Sequence, residues 1–421
     1  MNYKQTTIEL FDLQKYAIKL GLDNITTLAN HFNNPQKKFP SIHIAGTNGK
    51  GSTAFYIAQM LQALGLKVGL STSPHLKDFR ERIRINDDLI SEDYIIDFWQ
   101  QTKKLVHNLK ATFFDTTTLL AFKYFSDENI DVAVIETGLG GRLDSTNILQ
   151  PQSVVLTPVG FDHQKQLGND LLSIASEKAG IIKKGSTIFV AKQDEKVNQL
   201  FLSKADKSNK VLFLNDYIQA EIVERSLTNI TFRLNDLGAN ESQSLKIPTP
   251  ATYQVENIAL AFLVVKKYCQ SKHLNFNSQK IKSRLTKISW PGRLQVIQTK
   301  PTIILDVSHN FDGIKTTLDS LLKIINPHTT DLLLGIVNDK DAKSICHYLS
   351  GNFRKIVVTE PETVRKQDGE LLTRLIGEKH QKVKFIKDLR TAYETCKKDL
   401  NADDTLIALG SHYLVGSLIK S

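Results

Sequence analysis

The sequence contains few cysteines and no long apolar segment. Its three cysteines, Cys269, Cys346 and Cys396, are scattered over 421 residues and form neither a C-x-x-C pair nor a Cys/His metal-binding spacing. We therefore expect ordinary thiols in a reducing compartment and no disulfide framework. No uninterrupted apolar run approaches the roughly 20 residues that a membrane-spanning helix needs, and the first residues lack the apolar core of a signal peptide. These absences predict a cytoplasmic protein without a membrane partner.

Basic residues are in excess but are not clustered. The chain has 54 Lys and Arg against 44 Asp and Glu, a formal net charge of +10. Such an excess is compatible with nucleic acid, an anionic surface or anionic small ligands. The basic residues form no block longer than pairs such as Lys37-Lys38, and no aromatic residues alternate with them to form a stacking platform. We expect no nucleic-acid partner.

The length and the apolar pattern predict an α/β protein of two domains. A chain of 421 residues is two to three times the commonest domain size of about 100–150 residues. Short β-branched runs at 42–45, 132–135, 154–156 and 187–190 alternate with amphipathic segments, as in a parallel sheet. After Gly51, apolar residues recur every three or four positions, which predicts a helix with one buried face.

Two further patterns divide the rest of the chain. Extended runs between residues 211 and 247, separated by polar turn residues, predict a small antiparallel insertion that covers one edge of the first domain. Five strand-like runs from residue 302 onward alternate with helical lengths and predict a second α/β unit. The turn residues 290–292 mark the boundary, so we expect domains at 1–296 and 297–421.

A glycine-rich segment follows the first predicted strand. Gly permits a tight backbone path, the start of a helix attracts phosphate, and a lysine supplies positive charge to it. The segment departs from the common G-x-x-x-x-G-K-[ST] pattern, because position 44 is Ile and Gly51 follows the lysine. The predicted phosphate contacts are Thr47, Asn48, Gly49, Lys50, Gly51 and Ser52.

Carboxylate, imidazole and amine side chains follow the next predicted strands. Glu136 ends one strand, where side chains point into the ligand crevice of an open sheet, and a carboxylate there suits Mg²⁺. His163 follows another strand, and Lys178 lies in a later helical segment. Taken alone, His163 would be an ordinary loop histidine and Lys178 a surface charge.

Together, these segments resemble the folylpolyglutamate synthase and dihydrofolate synthase family of the Mur ligase superfamily. The resemblance runs from about residue 33 to residue 416, nearly the whole chain, in the family's order. Its segments are NNPQKKFPSIHIAGTNGKGST, STSPHLKDFRERIRIN, TFFDTTT, ETGLGGRLDSTN, GFDHQKQLGNDLLSIASEKAGIIKKG, WPGRLQ, LDVSHNFDG, NDKD and GSHYLVG.

The resemblance implies an N-terminal P-loop-type ATPase domain and a C-terminal Rossmann-like domain that close around ATP. It assigns the phosphates to Lys50, and it makes Ser73, Glu136 and His163 ligands of two Mg²⁺ ions. It makes Lys178 the lysine that this superfamily carbamylates, since CO₂ turns an amine into an oxygen ligand suited to Mg²⁺. K⁺ is an optional further ion.

The resemblance also assigns nucleotide contacts in the second half of the chain. Arg293 matches a phosphate-contacting arginine, or else is a hinge residue that caps a helix. Asp306 matches a ribose-side carboxylate, while His309 and Asn310 match residues near the γ-phosphate and adenine. Asn257 is expected near adenine. Tyr253 stands where the family usually has His, and it is given no role. Other departures, among them Thr137 and His412, bear on substrate preference more than on the reaction.

The implied reaction is ATP-dependent amide formation. A carboxylate of dihydropteroate or a folate is phosphorylated, and the amino group of L-glutamate then displaces phosphate, with Lys50, Lys178 and His309 as the catalytic residues. Arg80 and Arg82 are either contacts for the anionic substrate or surface ion pairs. We expect a monomer. The alternatives are another Mur-type amino-acid ligase, a nucleotide-dependent regulatory protein without turnover, and a nucleic-acid ATPase.

Overall fold

The computed structural model describes residues 1–16 and 21–419. The helices of its first part are α1 Tyr3–Asp12, α2 Asp23–His31, α3 Lys50–Ala63, α4 Glu92–Leu109, α5 Phe113–Asp127, α6 Gln164–Leu167, α7 Leu171–Ala179, α8 Glu195–Lys204, α9 Tyr253–Ser271 and α10 Ser278–Leu285. Its strands are β1 Ser41–Ala45, β2 Val68–Ser71, β3 Ile83–Ile85, β4 Asp88–Leu89, β5 Val132–Glu136, β6 Ser153–Leu156, β7 Thr187–Val190, β8 Lys210–Phe213, β9 Ile218–Arg225, β10 Ile230–Asp236 and β11 Glu241–Ile247.

The second part continues the alternation of strand and helix. Its strands are β12 Gln295–Thr299, β13 Thr302–Asp306, β14 Thr330–Leu334, β15 Lys355–Val358, β16 Val383–Phe385 and β17 Thr405–Leu409. Its helices are α11 Phe311–Leu321, α12 Ala342–Leu349, α13 Gly369–Gly377, α14 Leu389–Lys398 and α15 His412–Leu418.

An eight-stranded sheet organises the first part, in the order β4-β3-β2-β5-β1-β6-β7-β8. From β2 to β8 along this order the neighbours pair in parallel, while β3 and β4 add an antiparallel edge. The central strand β1 is buried along its whole length and pairs with β5 and β6. Because parallel strands end at the same edge, the loops after β1, β5 and β6 meet there.

Helix α3 is enclosed on every side. All residues from Gly51 to Leu61 are buried, so the prediction of a helix with one buried face is wrong. The reason is α9, which lies some 200 positions later in the sequence and packs along α3 on the side away from the sheet. A helix covered by both a sheet and a second helix exposes no polar face to solvent.

The antiparallel insertion is present but begins later than predicted. Strands β9, β10 and β11 form a three-stranded antiparallel sheet whose buried face packs with α9. The run at 211–214, expected in this insertion, instead supplies β8, which pairs in parallel with β7 at the edge of the main sheet. Its apolar residues are needed there because that edge covers the core beneath α7 and α8.

The second part is a six-stranded sheet in the order β12-β13-β17-β14-β15-β16. The five predicted strands pair in parallel, and the prediction of a second α/β unit is confirmed. Strand β12 joins as an antiparallel edge beside β13. The division after residue 296 falls inside β12 and stays a proposal.

No helix within residues 1–16 and 21–419 is both long and apolar enough to span a bilayer.

The three cysteines are buried as free thiols, and burial raises the pKa of Cys346 and Cys396 to about 12.

Candidate active site

A cavity of about 550 Å³ lies between the two sheets, at the carboxyl ends of their strands. One wall comes from the loops after β1, β5 and β6, and the facing wall comes from Arg293 before β12, the loop after β13 and the starts of α11 and α15. Most of the predicted site residues line it: Thr47, Asn48, Gly49, Lys50, Gly51, Ser52, Ser73, Glu136, His163, Lys178, Asn257, Arg293 and His309.

The glycine loop between β1 and α3 forms the floor of the cavity. Gly49 caps α3 in the left-handed region, with φ of 84°, and a Cβ there would lie 2.6 Å from Asn257 Oδ1. Both the backbone conformation and the close approach therefore require glycine. The loop is anchored by the Thr47 and Asn48 N–H groups, which donate to the Pro158 carbonyl at 2.9 and 3.3 Å. Lys50 is the first residue of α3, and its Nζ donates to Thr47 O at 3.2 Å.

Helix α9 supports this loop from the side. Gln254 Nε2 donates to Ser52 Oγ at 3.2 Å, and Gln254 Oε1 accepts from Asn257 Nδ2 at 2.9 Å. Thr53 Oγ1 donates to Asn257 Oδ1 at 3.4 Å. Asn257 is thus placed beside the loop by hydrogen bonds that use one oxygen and one N–H of its amide. Asn257 also lines the cavity.

Glu136 and Ser73 meet where β5 and β2 end. Ser73 N–H donates to Glu136 Oε2 at 2.9 Å, and Glu136 is 5% exposed. Burial raises the pKa of this carboxyl, against the opposing effects of Lys50, the Ser73 N–H and Arg293. A Cβ on Gly51 would lie 3.3 Å from Glu136 Oε2, so the glycine allows the carboxylate to approach the first turn of α3. The site therefore places a buried carboxylate directly beside the lysine of the loop.

Asp162, immediately before His163, is the centre of a polar cluster between the two sheets. Lys340 Nζ lies 2.7 Å from Asp162 Oδ1, and Asn310 Nδ2 donates to Asp162 Oδ2 at 3.1 Å. Burial alone would raise the pKa of Asp162, but His163, Lys340 and His309 hold it well below its usual range. His163 itself has a left-handed backbone, φ 51°, and burial lowers its pKa to about 4, so its ring is neutral near pH 7.

Lys178 is buried in the last turn of α7. The residue is 3% exposed, and its Nζ donates to Gly46 O in the glycine loop at 2.7 Å. Burial, followed by the charge of Lys50, lowers its pKa to about 7. Near neutral pH a large fraction of this amine is therefore uncharged, whereas an exposed lysine would be almost entirely protonated. Lys178 is therefore not an exposed surface lysine.

The facing wall carries Arg293, His309 and His412. The His309 Nδ1 atom lies 2.9 Å from the Val307 carbonyl, which can only accept, so Nδ1 carries the hydrogen. Burial lowers the pKa of His309 to about 4 and holds the pKa of His412 well below its usual value. The two rings lie 5.5 Å apart. Arg293 therefore provides the positive charge on this wall, and the imidazoles contribute neutral polar groups.

Asp306 and Asn310 lie behind the facing wall and do not line the cavity. Asp306 is fully buried, and its carboxylate accepts from four groups: Leu294 N, Tyr253 Oη, Ser308 N and Thr317 Oγ1. Asn310 caps α11 by accepting from Gly313 N at 2.7 Å, and its Nδ2 donates to Asn48 Oδ1 at 3.1 Å. In this arrangement both residues hold the wall in place.

The two predicted substrate arginines have different surroundings. Arg82 is half-buried, donates to His75 Nδ1 at 2.8 Å and lies over the Phe113 ring. It borders a small pocket that also includes Ser73 and Glu136, and burial lowers its pKa to about 10. Arg80 pairs with Asp78 and Glu92 at 2.7 and 3.4 Å and lines neither space. The structure thus brings Arg82 to the site and places Arg80 in an ion pair outside it.

Models of known protein families match both parts of the chain. Residues 44–265 match the model of the Mur ligase middle domain, and residues 292–412 match that of the Mur ligase glutamate ligase domain. The folylpolyglutamate synthase of Lacticaseibacillus casei is 33% identical over 374 residues, 87% of each chain. The chain belongs to the folylpolyglutamate synthase family of Mur ligases. It is an ATP-dependent ligase, as the sequence predicts.

Two further members of the family support this assignment. A dihydrofolate synthase/folylpolyglutamate synthase of Bacillus subtilis is 32% identical over 343 residues, 77% of each chain. The structure of Mycobacterium tuberculosis folylpolyglutamate synthase complexed with ADP and AMPPCP superimposes with a TM-score of 0.90 at 27% identity, covering 99% of this chain and 98% of that one. The similarity therefore includes both sheets.

Two residues of the site were missed by reasoning from the sequence. Asp162 lies within the segment GFDH and Lys340 within the segment NDKD, but the sequence alone predicts no role for either residue. Each follows the end of a parallel strand, β6 and β14, and this is the signal that could have found them. What the sequence does not show is that the two strand ends face each other across the junction.

Proposed function

We propose that this enzyme joins the amino group of L-glutamate to a carboxylate of dihydropteroate or of a (tetrahydro)folate, as a folylpolyglutamate synthase and also a dihydrofolate synthase. The observation that carries the proposal is the cavity itself, in which Lys50 and Glu136 on one wall face Arg293 on the other. Such a pairing of cations from two walls suits a substrate that brings phosphate and carboxylate groups together. The similarity to named folylpolyglutamate synthases supports the same substrates.

ATP is proposed to lie along the glycine loop. The backbone N–H groups at the start of α3 and the Lys50 ammonium would receive the phosphates, with Arg293 opposite them. Asn257 borders the cavity and would approach adenine. We propose that Asp306 and Asn310 contribute to the nucleotide site through the wall that they support, because both are buried behind it.

Mg²⁺ is proposed to bind at Ser73, Glu136 and His163. The donor chemistry fits, because a carboxylate and a hydroxyl are hard oxygen ligands, and Glu136 Oε1 has no hydrogen-bond donor among residues 1–16 and 21–419. Over the same residues, no three Asp, Glu, His or Cys side chains converge as a ready-made metal site. Bound here, two magnesium ions would neutralise charge on the phosphates of ATP.

Carbamylation of Lys178 would supply the missing anion. The neutral amine attacks the carbon of CO₂, forms an N–C bond and loses a proton, which leaves a carbamate in place of an ammonium. Lys178 is suited to this reaction because its amine is buried against the glycine loop, at 2.7 Å from Gly46 O, and has a lowered pKa. An unmodified, protonated Lys178 would instead repel a cation in the same space.

The proposed reaction has two steps. A carboxylate oxygen of the pteroate or folate attacks the γ-phosphorus of ATP, the bond to ADP breaks, and an acyl phosphate forms. The glutamate nitrogen then attacks the acyl carbon, phosphate leaves with the electron pair of the C–O bond, and the nitrogen loses a proton. Lys50 and Arg293 stabilise the negative charge of the transferring group from opposite walls, and His309 adds a neutral polar contact.

The decisive experiment assays the purified protein with dihydropteroate and with tetrahydrofolate monoglutamate in parallel, each with ATP and L-glutamate. We expect ADP release and a product one glutamate heavier with both acceptors, and neither signal when glutamate or the acceptor is omitted. Lys50→Ala is the control, since it should remove turnover with each acceptor. ADP release that does not depend on glutamate, or no product with either acceptor, would contradict the proposal.

A further inference from the structure

Asp162 binds the C-terminal unit with both carboxylate oxygens. Oδ1 lies 2.7 Å from Lys340 Nζ, and Oδ2 accepts from Asn310 Nδ2 at 3.1 Å, with His309 Nε2 at 3.8 Å. The local contacts come from His163, whose N–H donates to Oδ1 at 2.9 Å and whose Nε2 lies 3.9 Å from the same oxygen. A loop that belongs to the first sheet is therefore held by groups from the second.

Lys340 depends on this contact in turn. Its side chain is 4% exposed, and the nearer of its two carboxylate partners is Asp162, while Asp339 lies at 3.8 Å and is shared with Arg365. Lys340 does not line the cavity, so it is not placed to touch a substrate there. A buried ammonium needs a close counter-ion, and here that counter-ion is on the other side of the domain junction.

Asn310 extends the contact to the glycine loop. Its Nδ2 donates to Asn48 Oδ1 at 3.1 Å as well as to Asp162, and Asn48 Nδ2 donates back to Asn310 Oδ1 at 3.4 Å. One carboxylate thus connects three elements: the loop after β6, the glycine loop and the start of α11. The same carboxylate also holds the backbone of His163, because the His163 N–H donates to Asp162 Oδ1.

We propose that Lys340 is a positioning residue, whose ion pair with Asp162 across the domain junction holds the His163 turn and the glycine loop in their working arrangement. The role of His163 as a ligand rests on the proposed function, but the positioning of the turn does not. The pair forms only when the two units are together. Assembly of the site is thereby coupled to closure of the domain junction.

The test compares Lys340→Met with Lys343→Met, a matched loss of an exposed lysine three residues later in α12. Hydrogen exchange is measured at the amides of Leu167 and Gly168, which donate hydrogen bonds to the His163 and Gln164 carbonyls of the turn. This measurement does not require an active enzyme. We expect exchange there to be at least about tenfold faster in Lys340→Met than in the Lys343→Met control. Unchanged exchange at these amides would overturn the proposal, even if ligase activity were absent from every form of the protein.

A double-mutant cycle provides the second readout. Lys340→Met and Asp162→Asn should each lower kcat by about 10- to 100-fold, as for other groups that act through a neighbour, with little change in KM for glutamate. Because each removes the same ion pair, the double variant should lose no more than the worse single variant. Losses that multiply, or a Lys340→Met enzyme with the activity of the control, would overturn the proposal. If Lys340→Met does not fold, Asp162→Asn takes its place in the exchange measurement with the same expected result.

Discussion

Lys178→Ala should leave the fold intact. A pKa lowered from 10.5 to about 7 means that the folded protein disfavours the charged amine by about 5 kcal/mol. Alanine removes that cost. It also removes three buried methylene groups, worth about 0.8 kcal/mol each, and a charged hydrogen bond to Gly46 O, worth about 1.5–3 kcal/mol. These contributions nearly cancel, so the free energy of unfolding at pH 7 should change by no more than about 2 kcal/mol.

The activity of Lys178→Ala should fall far more than its stability. If a carbamate on this side chain supplies an anion to the metal site, its loss should lower kcat by about 10²–10³-fold, the cost of removing one preorganised electrostatic group. Formate or acetate should restore part of the activity by occupying the vacated space. The assay is ADP release that depends on the folate acceptor and glutamate, with ¹³C-bicarbonate labelling of wild type at neutral pH. A fully active Lys178→Ala enzyme would refute the carbamate assignment.

The pH dependence of stability checks the buried amine separately. In CO₂-free buffer, the unfolded chain keeps Lys178 protonated up to about pH 10.4, whereas the folded protein loses this proton near pH 7. Between these values the unfolded state binds more protons, so wild type should gain stability relative to Lys178→Ala as the pH rises. Below pH 7 the difference should be constant. Denaturant unfolding at a series of pH values measures it, and parallel curves above pH 7 would show that the amine is not desolvated.

Four further substitutions test the remaining parts of the site. Lys50→Ala should abolish turnover but change thermal stability little, because its side chain contributes charge and hardly any core packing; near-normal ligation by the folded variant would disprove the phosphate role. Glu136→Gln keeps the shape but loses the anion, so activity should collapse and excess Mg²⁺ should not fully restore it; an unchanged Mg²⁺ titration would rule out the ligand. Arg82→Ala should raise KM for the folate acceptor, whereas Arg80→Ala should cost less than about 1 kcal/mol of stability as a partly exposed ion pair. Steady-state kinetics measure the KM of Arg82→Ala, and thermal melts measure the stability of Arg80→Ala.

The strands and their loops could be predicted because their signals are local. Most of the parallel strands are short apolar runs, and the loops that line the cavity follow β1, β5, β6 and β13 in the chain. The burial of α3 was not predictable in the same way. Its sequence has an apolar period that suggests one buried face, but α9 covers the other side, and only the folded chain brings these helices together.

Charged residues of the site were harder to predict, since their role depends on partners far away in sequence. Arg80 and Arg82 are two residues apart and chemically identical, but Arg80 pairs with Asp78 and Glu92 while Arg82 lies over the Phe113 ring. Lys178 in a helical segment is indistinguishable from a surface lysine until α7 is placed against the glycine loop. Lys340 is paired with a residue 178 positions earlier. No local pattern encodes such a distance.

The charge at the cavity at neutral pH comes from Lys and Arg side chains more than from histidines. Burial lowers the pKa of His163 and His309 to about 4 each, so these rings are neutral in the physiological range. Lys50 and Arg293 supply cations from opposite walls. The attraction for an anionic ligand therefore depends on the two walls being brought together, and not on protonation of the rings between them. In the arrangement that the structure shows, a phosphate in the cavity would lie between these two cations, where their electrostatic effect is strongest.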